Sequence, residues 1–144
     1  MSAVGRVLGI DYGEARIGLA VSDSMRMVAT PFETVDGKNK KLATRRIREI
    51  LAEKQISTII VGLPLHMNGD FGELAQAATD FGEKLSSQVP DLEVVMWDER
   101  MSSAEAERAM NLSNTKAGRK KELRDQLAAQ IILQSWLDAQ GMGF

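Results

Sequence analysis

The chain contains no cysteine and only one histidine, His66, among its 144 residues. Without cysteine there can be no disulfide framework, no thiolate zinc site and no catalytic thiol. A single histidine also excludes a metal centre built from several histidines of one chain. Zinc centres built from thiolates or from several histidines are therefore excluded within one chain.

Long hydrophobic runs are missing as well. The longest apolar stretch, from Ile59 to Leu65, is far too short to cross a bilayer. A strand pattern starts close to the N-terminus, with no targeting segment before it, so we expect a soluble, cytoplasmic protein without a membrane partner. The length and the 44% hydrophobic content suit one globular domain. We expect that domain to span residues 1–140 and residues 141–144 to form a flexible tail.

An excess of positive charge is also absent, because the formal net charge is -2. This value argues against a general nucleic-acid coat protein. The basic residues are unevenly distributed, however, and two short segments hold most of them. These segments could be solvated helix faces, or they could flank an acidic centre on both sides. The second arrangement would suit a phosphodiester substrate. The segments contain eleven of the 18 Lys and Arg residues: Lys38, Lys40, Lys41, Arg45, Arg46 and Arg48, then Lys116, Arg119, Lys120, Lys121 and Arg124.

Apolar periodicity predicts an α/β domain. The order of elements favours a five-stranded mixed sheet flanked by helices, with a three-strand antiparallel meander followed by two parallel crossover strands. A polar connection is expected over residues 111–118. The predicted strands are residues 6–11, 17–22, 31–35, 58–62 and 93–98. The first predicted helix follows a break at residues 36–39 and continues to residue 55, with Leu42 and Ile47 on its apolar side. The second carries Leu74 and Leu85 and ends near residue 88, a short third begins at Ser102 or Ser103, and the last covers residues 119–140.

Three carboxylates from distant parts of the chain are candidates for one site. Asp11 ends the first predicted strand and Glu99 follows the fifth, and the carboxyl ends of parallel strands line a common crevice. Asp125 lies in line with Ala129 and Ile132 on the apolar stripe of the last helix. A carboxylate near buried apolar residues is costly unless a positive group holds it. The simplest such group here is a divalent cation.

Each acid alone also has a structural explanation. Asp11 could belong to a turn, Glu99 to an ion pair or a helix entry beside Arg100, and Asp125 to a pair with Lys121. Their joint placement favours a site. Such a cluster suits Mg²⁺ or Mn²⁺, and two ions could activate a water and stabilise the leaving oxygen of an in-line displacement.

Four sequence blocks, in order along nearly the whole chain, resemble the YqgF/RuvX family of ribonuclease H-like nucleases. They are GIDYG with RIGLAVS (residues 9–13 and 16–22), IVGLPL (60–65), DERMSS (98–103) and DQLAAQIIL (125–133). One departure is His66, which stands where the family usually has asparagine.

The resemblance implies a ribonuclease H-like fold and a metal-dependent nuclease, a hydrolase acting on ester bonds. The family is described as maturing the 5′ end of pre-16S rRNA in ribosome biogenesis and also as resolving Holliday junctions. Asp11, Glu99 and Asp125 match its catalytic acids, which would hold Mg²⁺ or Mn²⁺. The candidate phosphate contacts are Arg16 and Arg100, which match basic positions of the family, together with Lys116, Arg119, Lys120 and Lys121 from the second basic segment.

We therefore expect cleavage of structured RNA, with precursor rRNA as the favoured partner and association with a ribosomal particle. Branched DNA is the chemical alternative, and a non-catalytic nucleic-acid-binding module is another. An actin-like ATPase or sugar kinase shares the Asp-x-Gly hairpin, but it needs two such domains, and 144 residues do not provide them. The sequence leaves open whether the protein is a monomer or a homodimer.

Overall fold

The computed structural model describes residues 5–64, 71–99 and 117–141. His66 and the short helix predicted from Ser102 or Ser103 lie outside these ranges. None of the helices described is both long and apolar enough to span a membrane. The elements are β1 (Arg6–Asp11), β2 (Arg16–Ser22), β3 (Ala29–Asp36), α1 (Lys40–Glu53), β4 (Ile56–Leu63), α2 (Glu73–Gln88), β5 (Glu93–Asp98) and α3 (Ala117–Gly141).

The five strands form one mixed sheet in the order β3-β2-β1-β4-β5. β1 pairs antiparallel with β2, and β2 pairs antiparallel with β3. β4 lies parallel to both β1 and β5. The two crossover strands are β4, which follows α1, and β5, which follows α2. The predicted meander and parallel pair are therefore confirmed.

Successive residues of β1 face opposite sides of the sheet, and each side has its own core. Leu8 and Ile10 pack with the buried residues of α1 and α2. Val7 lies on the other side, where it packs with the apolar stripe of α3. Asp11 is four residues beyond Val7, so β1 directs it to the α3 side at the carboxyl edge of the sheet.

Helix α1 ends two residues earlier than its periodicity predicts. Gln55 adopts a positive φ of 55°, which takes the chain out of the helix after Glu53. Leu42 and Leu74, expected on buried stripes, are 55% and 39% exposed. Each lies in the first turn of its helix, one residue before the buried stripe begins. At the other end of the chain, α3 includes Gly141, which the sequence placed in the tail.

Helix α3 packs very close to the sheet over three glycines of neighbouring strands, which we call the glycine platform: Gly9, Gly18 and Gly62. A Cβ added to Gly9 would lie 2.7 Å from the Cβ of Leu133, and one added to Gly18 would overlap the backbone carbonyl of Asp125. A larger residue at Gly9 or Gly18 would push the helix outward, whereas one at Gly62 would meet the end of the Ile132 side chain. The platform thereby sets the height of Asp125 above the sheet.

Candidate active site

Asp11 and Glu99 lie at the same edge of the sheet, on either side of β4. β4 pairs in parallel with both β1 and β5, so its residue Gly62 lies between them. A Cβ added to Gly62 would be 2.9 Å from Cγ and 3.0 Å from Oε2 of Glu99. The glycine therefore gives Glu99 room to lie over β4 towards Asp11.

Asp125 reaches this edge from α3, where Arg16 of β2 binds it. Arg16 donates its Nε–H to Oδ2 of Asp125 at 2.7 Å. The Asp125 side chain is 18% exposed and that of Arg16 is 41% exposed, so the pair lies at the mouth of the site. The sequence suggested Lys121 as the structural partner of Asp125 and a phosphate as the partner of Arg16. In the structure Arg16 is itself a partner of Asp125.

The charge of Asp11 is poorly compensated. Burial raises the pKa of its carboxyl to about 8, and the neighbouring charges of Glu99 and Asp125 add to this effect. Burial and the nearby Asp98 also raise the pKa of Glu99. Acids whose charged forms are disfavoured in this way need a positive partner, and such groups cluster at functional sites.

The three acids lie within electrostatic range but do not form a ready-made metal cage. Over the ranges that the structure describes, no group of three His, Cys, Asp or Glu side chains is arranged to hold an ion. Their donor chemistry nevertheless fits a hard cation, because carboxylate oxygens are the protein ligands that Mg²⁺ and Mn²⁺ prefer. Arg16 compensates the negative charge of Asp125. The charged form of Asp11, in contrast, is disfavoured by the charges of both other acids.

The other predicted phosphate contacts fall beyond the described side chains. Arg100 and Lys116 lie outside the described residues, and Arg119, Lys120 and Lys121 belong to α3 without described side chains. Their roles stay predictions.

The first basic segment divides into structural and exposed members. Lys40 donates its Nζ to the backbone carbonyls of Gly13 and Glu14, each at 3.1 Å. Arg46 donates to both carboxylate oxygens of Glu33, at 2.8 and 2.7 Å. These two residues therefore stabilise the fold. The exposed members are Lys38, Lys41, Arg45 and Arg48.

A cleft beside the acids was not predicted from the sequence. It has a volume of about 400 Å³ and is lined by Ala15, Arg16, Thr34, Asp36 and Lys38. Its walls meet because Arg16 stands opposite Asp36 in the β2–β3 pairing. That register includes a shift between Leu19 and Ala20, which residue patterns do not reveal.

The glycine platform was also missed, although the sequence carries a signal for it. Gly18 and Ala20 are small residues at alternating positions of one strand, so they lie on the same face. Small residues repeated on one face of a strand indicate a close approach by another backbone.

The sequence matches a known family along most of its length. The family model is that of RuvX, described as a Holliday junction resolvase, and it covers residues 5–139. A relative from Acetivibrio thermocellus is 39% identical over 137 residues, covering 94% of this chain and 97% of its own. One from a Ruegeria species is 43% identical over 132 residues, covering 92% and 83%. Both are named "Putative pre-16S rRNA nuclease".

Solved structures share the fold. Thermus thermophilus RuvC in complex with a Holliday junction substrate superimposes with a TM-score of 0.63 at 19% identity, covering 96% of this chain and 97% of that one. The fowlpox virus resolvase in its Holliday junction complex gives a TM-score of 0.60 at 10% identity, covering 94% and 98%. The fold is the ribonuclease H-like fold that the sequence predicted.

Proposed function

Because the chain belongs to the RuvX family, we propose that it is a metal-dependent nuclease that hydrolyses phosphodiester bonds in structured RNA. The setting we propose is the 5′-end maturation of pre-16S rRNA, in association with a ribosomal particle. The names of relatives at 39–43% identity support this substrate. The structural observation that carries the proposal is the meeting of Asp11, Glu99 and Asp125 at one edge of the sheet. Burial there, together with the charges of the other two acids, raises the pKa of Asp11 to about 8.

In this proposal Asp11, Glu99 and Asp125 are the residues that would hold Mg²⁺ or Mn²⁺. The chemistry that bound ions supply is an activated water and a stabilised leaving oxygen for in-line displacement at phosphorus. Asp11 would have to be ionised to serve as a ligand, because a ligating carboxyl carries no proton. Arg16 restrains Asp125, and Gly62 leaves room for Glu99. The protein then needs no nucleophile of its own.

The test is Asp11→Asn in a cleavage assay on a precursor-rRNA fragment with Mn²⁺. Asparagine keeps the size of the side chain but cannot supply the negative charge. We expect cleavage to slow by at least about 100-fold, with the fold and RNA binding retained. Asp138→Asn, an equivalent change at an exposed position of α3, is the control. Wild-type cleavage rates in Asp11→Asn would show that the site is wrongly assigned.

Cleavage of branched DNA is the second candidate, favoured by the description of the matching family as a Holliday junction resolvase. A labelled four-way DNA junction and the precursor RNA should be compared in one assay, and the faster reaction identifies the substrate. A wild-type protein that binds nucleic acid but cleaves neither substrate, with Mg²⁺ or Mn²⁺, would be a non-catalytic module. Symmetric junction cleavage would also require a homodimer with two sites, whereas RNA end maturation can proceed with a monomer.

A further inference from the structure

We propose that the cleft lined by Ala15, Arg16, Thr34, Asp36 and Lys38, here called the Arg16 cleft, binds a backbone phosphate next to the one being cleaved. Its volume of about 400 Å³ lies within the range of small-molecule sites. This inference rests on the proposed function for the identity of its ligand, a nucleic-acid strand, and adds a specific place where that strand is held.

The Arg16 cleft lies beside the acids. Asp11 pairs with Gly18 across β1 and β2, and Gly18 pairs with Thr34 across β2 and β3. Neighbouring strands are about 4.8 Å apart, so Thr34 lies roughly 10 Å from Asp11 across the sheet. A strand whose reacting phosphate lies at the acids therefore brings its adjacent nucleotide to the cleft.

The cleft offers hydrogen-bond donors and positive charge. Arg16 uses its Nε–H for Asp125, and among the described residues its terminal guanidinium nitrogens have no hydrogen-bond partner. A guanidinium has five N–H donors in a planar fork that matches phosphate oxygens. Lys38 adds an exposed ammonium group. The acid of the cleft, Asp36, already accepts the backbone N–H of Lys38 at 2.9 Å.

The walls of the cleft are fixed by hydrogen bonds between separate elements. Gly37 donates its backbone N–H to the carbonyl of Ala15 at 2.9 Å, which joins the segment after β3 to the β1–β2 turn. Lys40 binds two carbonyls of that same turn. Thr34 accepts a hydrogen bond from Gln126 of α3 at 3.1 Å. A site held in this way loses little conformational freedom when a ligand binds.

Arg16 then links the cleft to the acid cluster. Its Nε–H stays on Asp125 while its outer nitrogens bind the neighbouring phosphate. The position of the substrate strand is thereby coupled to that of the third acid. A simple surface lysine would not provide this link, because an ammonium lacks the fork that reaches two partners in fixed directions.

Binding without cleavage tests the proposal. In EDTA, fluorescence anisotropy would measure the affinity of a labelled precursor-rRNA fragment for wild type, Lys38→Gln and Lys84→Gln. Lys84 is an exposed lysine of α2, on the opposite side of the sheet from α3, and is the matched control. We expect Lys38→Gln to weaken binding about three- to tenfold and to reduce the salt slope by about 0.7–1, as the loss of one phosphate contact does.

Two further variants and ligands sharpen the result. Lys38→Arg keeps the charge and should bind within about twofold of wild type. A DNA strand of the same sequence shows which backbone the cleft prefers, and dependence on Lys38 for either strand supports the cleft. Equal effects of Lys38→Gln and Lys84→Gln, or no effect of Lys38→Gln on either strand, would overturn it.

The outcome is separable from the test of the proposed function. If wild type cleaves the RNA but Lys38→Gln binds RNA and DNA as tightly as wild type does, the nuclease assignment stands and the cleft is rejected. If wild type cleaves nothing but Lys38→Gln alone weakens binding, the nuclease assignment is rejected and the cleft stands as a site for a nucleic-acid phosphate, without a neighbouring cleavage site.

Discussion

The Asp11 carboxyl lies at the end of a buried strand with two other acids nearby, and its pKa is raised from 3.8 to about 8. Below pH 3.8 the carboxyl is protonated in both the folded and the unfolded protein. Between these two pKa values the folded state keeps a proton that the unfolded state has released. Raising the pH through this window therefore favours unfolding, and the stabilising contribution is lost once the pH exceeds about 8.

We expect Asp11→Asn to remove most of this pH dependence in metal-free protein. In EDTA, the Tm of the variant should exceed that of wild type by several degrees at pH 9, and by much less at pH 5. A change of 1 kcal/mol corresponds to roughly 3–4 °C in a domain of this size. A weaker dependence should remain, because the pKa of Glu99 is also raised.

Thermal unfolding of wild type, Asp11→Asn and the exposed control Asp138→Asn at both pH values measures the effect. The same Tm difference between Asp11→Asn and wild type at pH 5 and pH 9 would show that Asp11 does not carry the pH dependence.

The candidate site was only partly predictable from single residues. Asp11 and Glu99 follow strands, so their shared edge could be inferred once the strands were taken as parallel. The partner of Asp125 could not be inferred, because Arg16 lies 109 positions away and meets it only through packing of α3 on the sheet. Local spacing pointed instead to Lys121, one helical turn away.

At the level of elements, α3 depends on the glycine platform. We expect Gly18→Ala to lower the free energy of unfolding by about 1–3 kcal/mol, because the new methyl group would overlap the backbone of Asp125 and overpack the interface. Gly141→Ala is the matched control, since a Cβ there meets nothing within 4 Å. Urea unfolding of both variants measures the difference. Equal values for Gly18→Ala and wild type would mean that α3 tolerates a larger separation from the sheet.

Most helices and strands could be predicted from the sequence, because each is long enough to show the apolar periodicity of a helix or a strand. The face of α3 that carries Asp125 was predicted correctly, because Ala129 and Ile132 follow it at helical spacing and both are buried. The depth of that face was not predictable. It depends on the glycines of β1, β2 and β4, so the sequence of α3 itself carries no signal for it.

At the level of the whole molecule, cation binding should be linked to both folding and pH. A cation that binds only the folded state raises the Tm, and binding at Asp11 has to displace the proton that its raised pKa retains. We expect the Tm increase caused by Mn²⁺ to grow from pH 6 to pH 8 and to be much smaller in Asp11→Asn. Differential scanning fluorimetry with and without Mn²⁺ measures it. A shift of equal size in both proteins would place the cation elsewhere.

The hydrogen bond between Arg16 and Asp125 has a consequence for biosynthesis. One partner belongs to the second strand of the chain and the other to its last described helix, so the acids cannot assemble on a nascent chain that still lacks α3. Contacts of such long sequence separation are also slow to form, because they require the closure of a long loop. If the proposed acids are the catalytic ones, a ribosome-bound fragment that ends before Asp125 would be inert towards RNA cleavage. The proposed site would therefore be complete only after α3 has been synthesised, which would keep a shorter nascent chain from cutting the RNA around it.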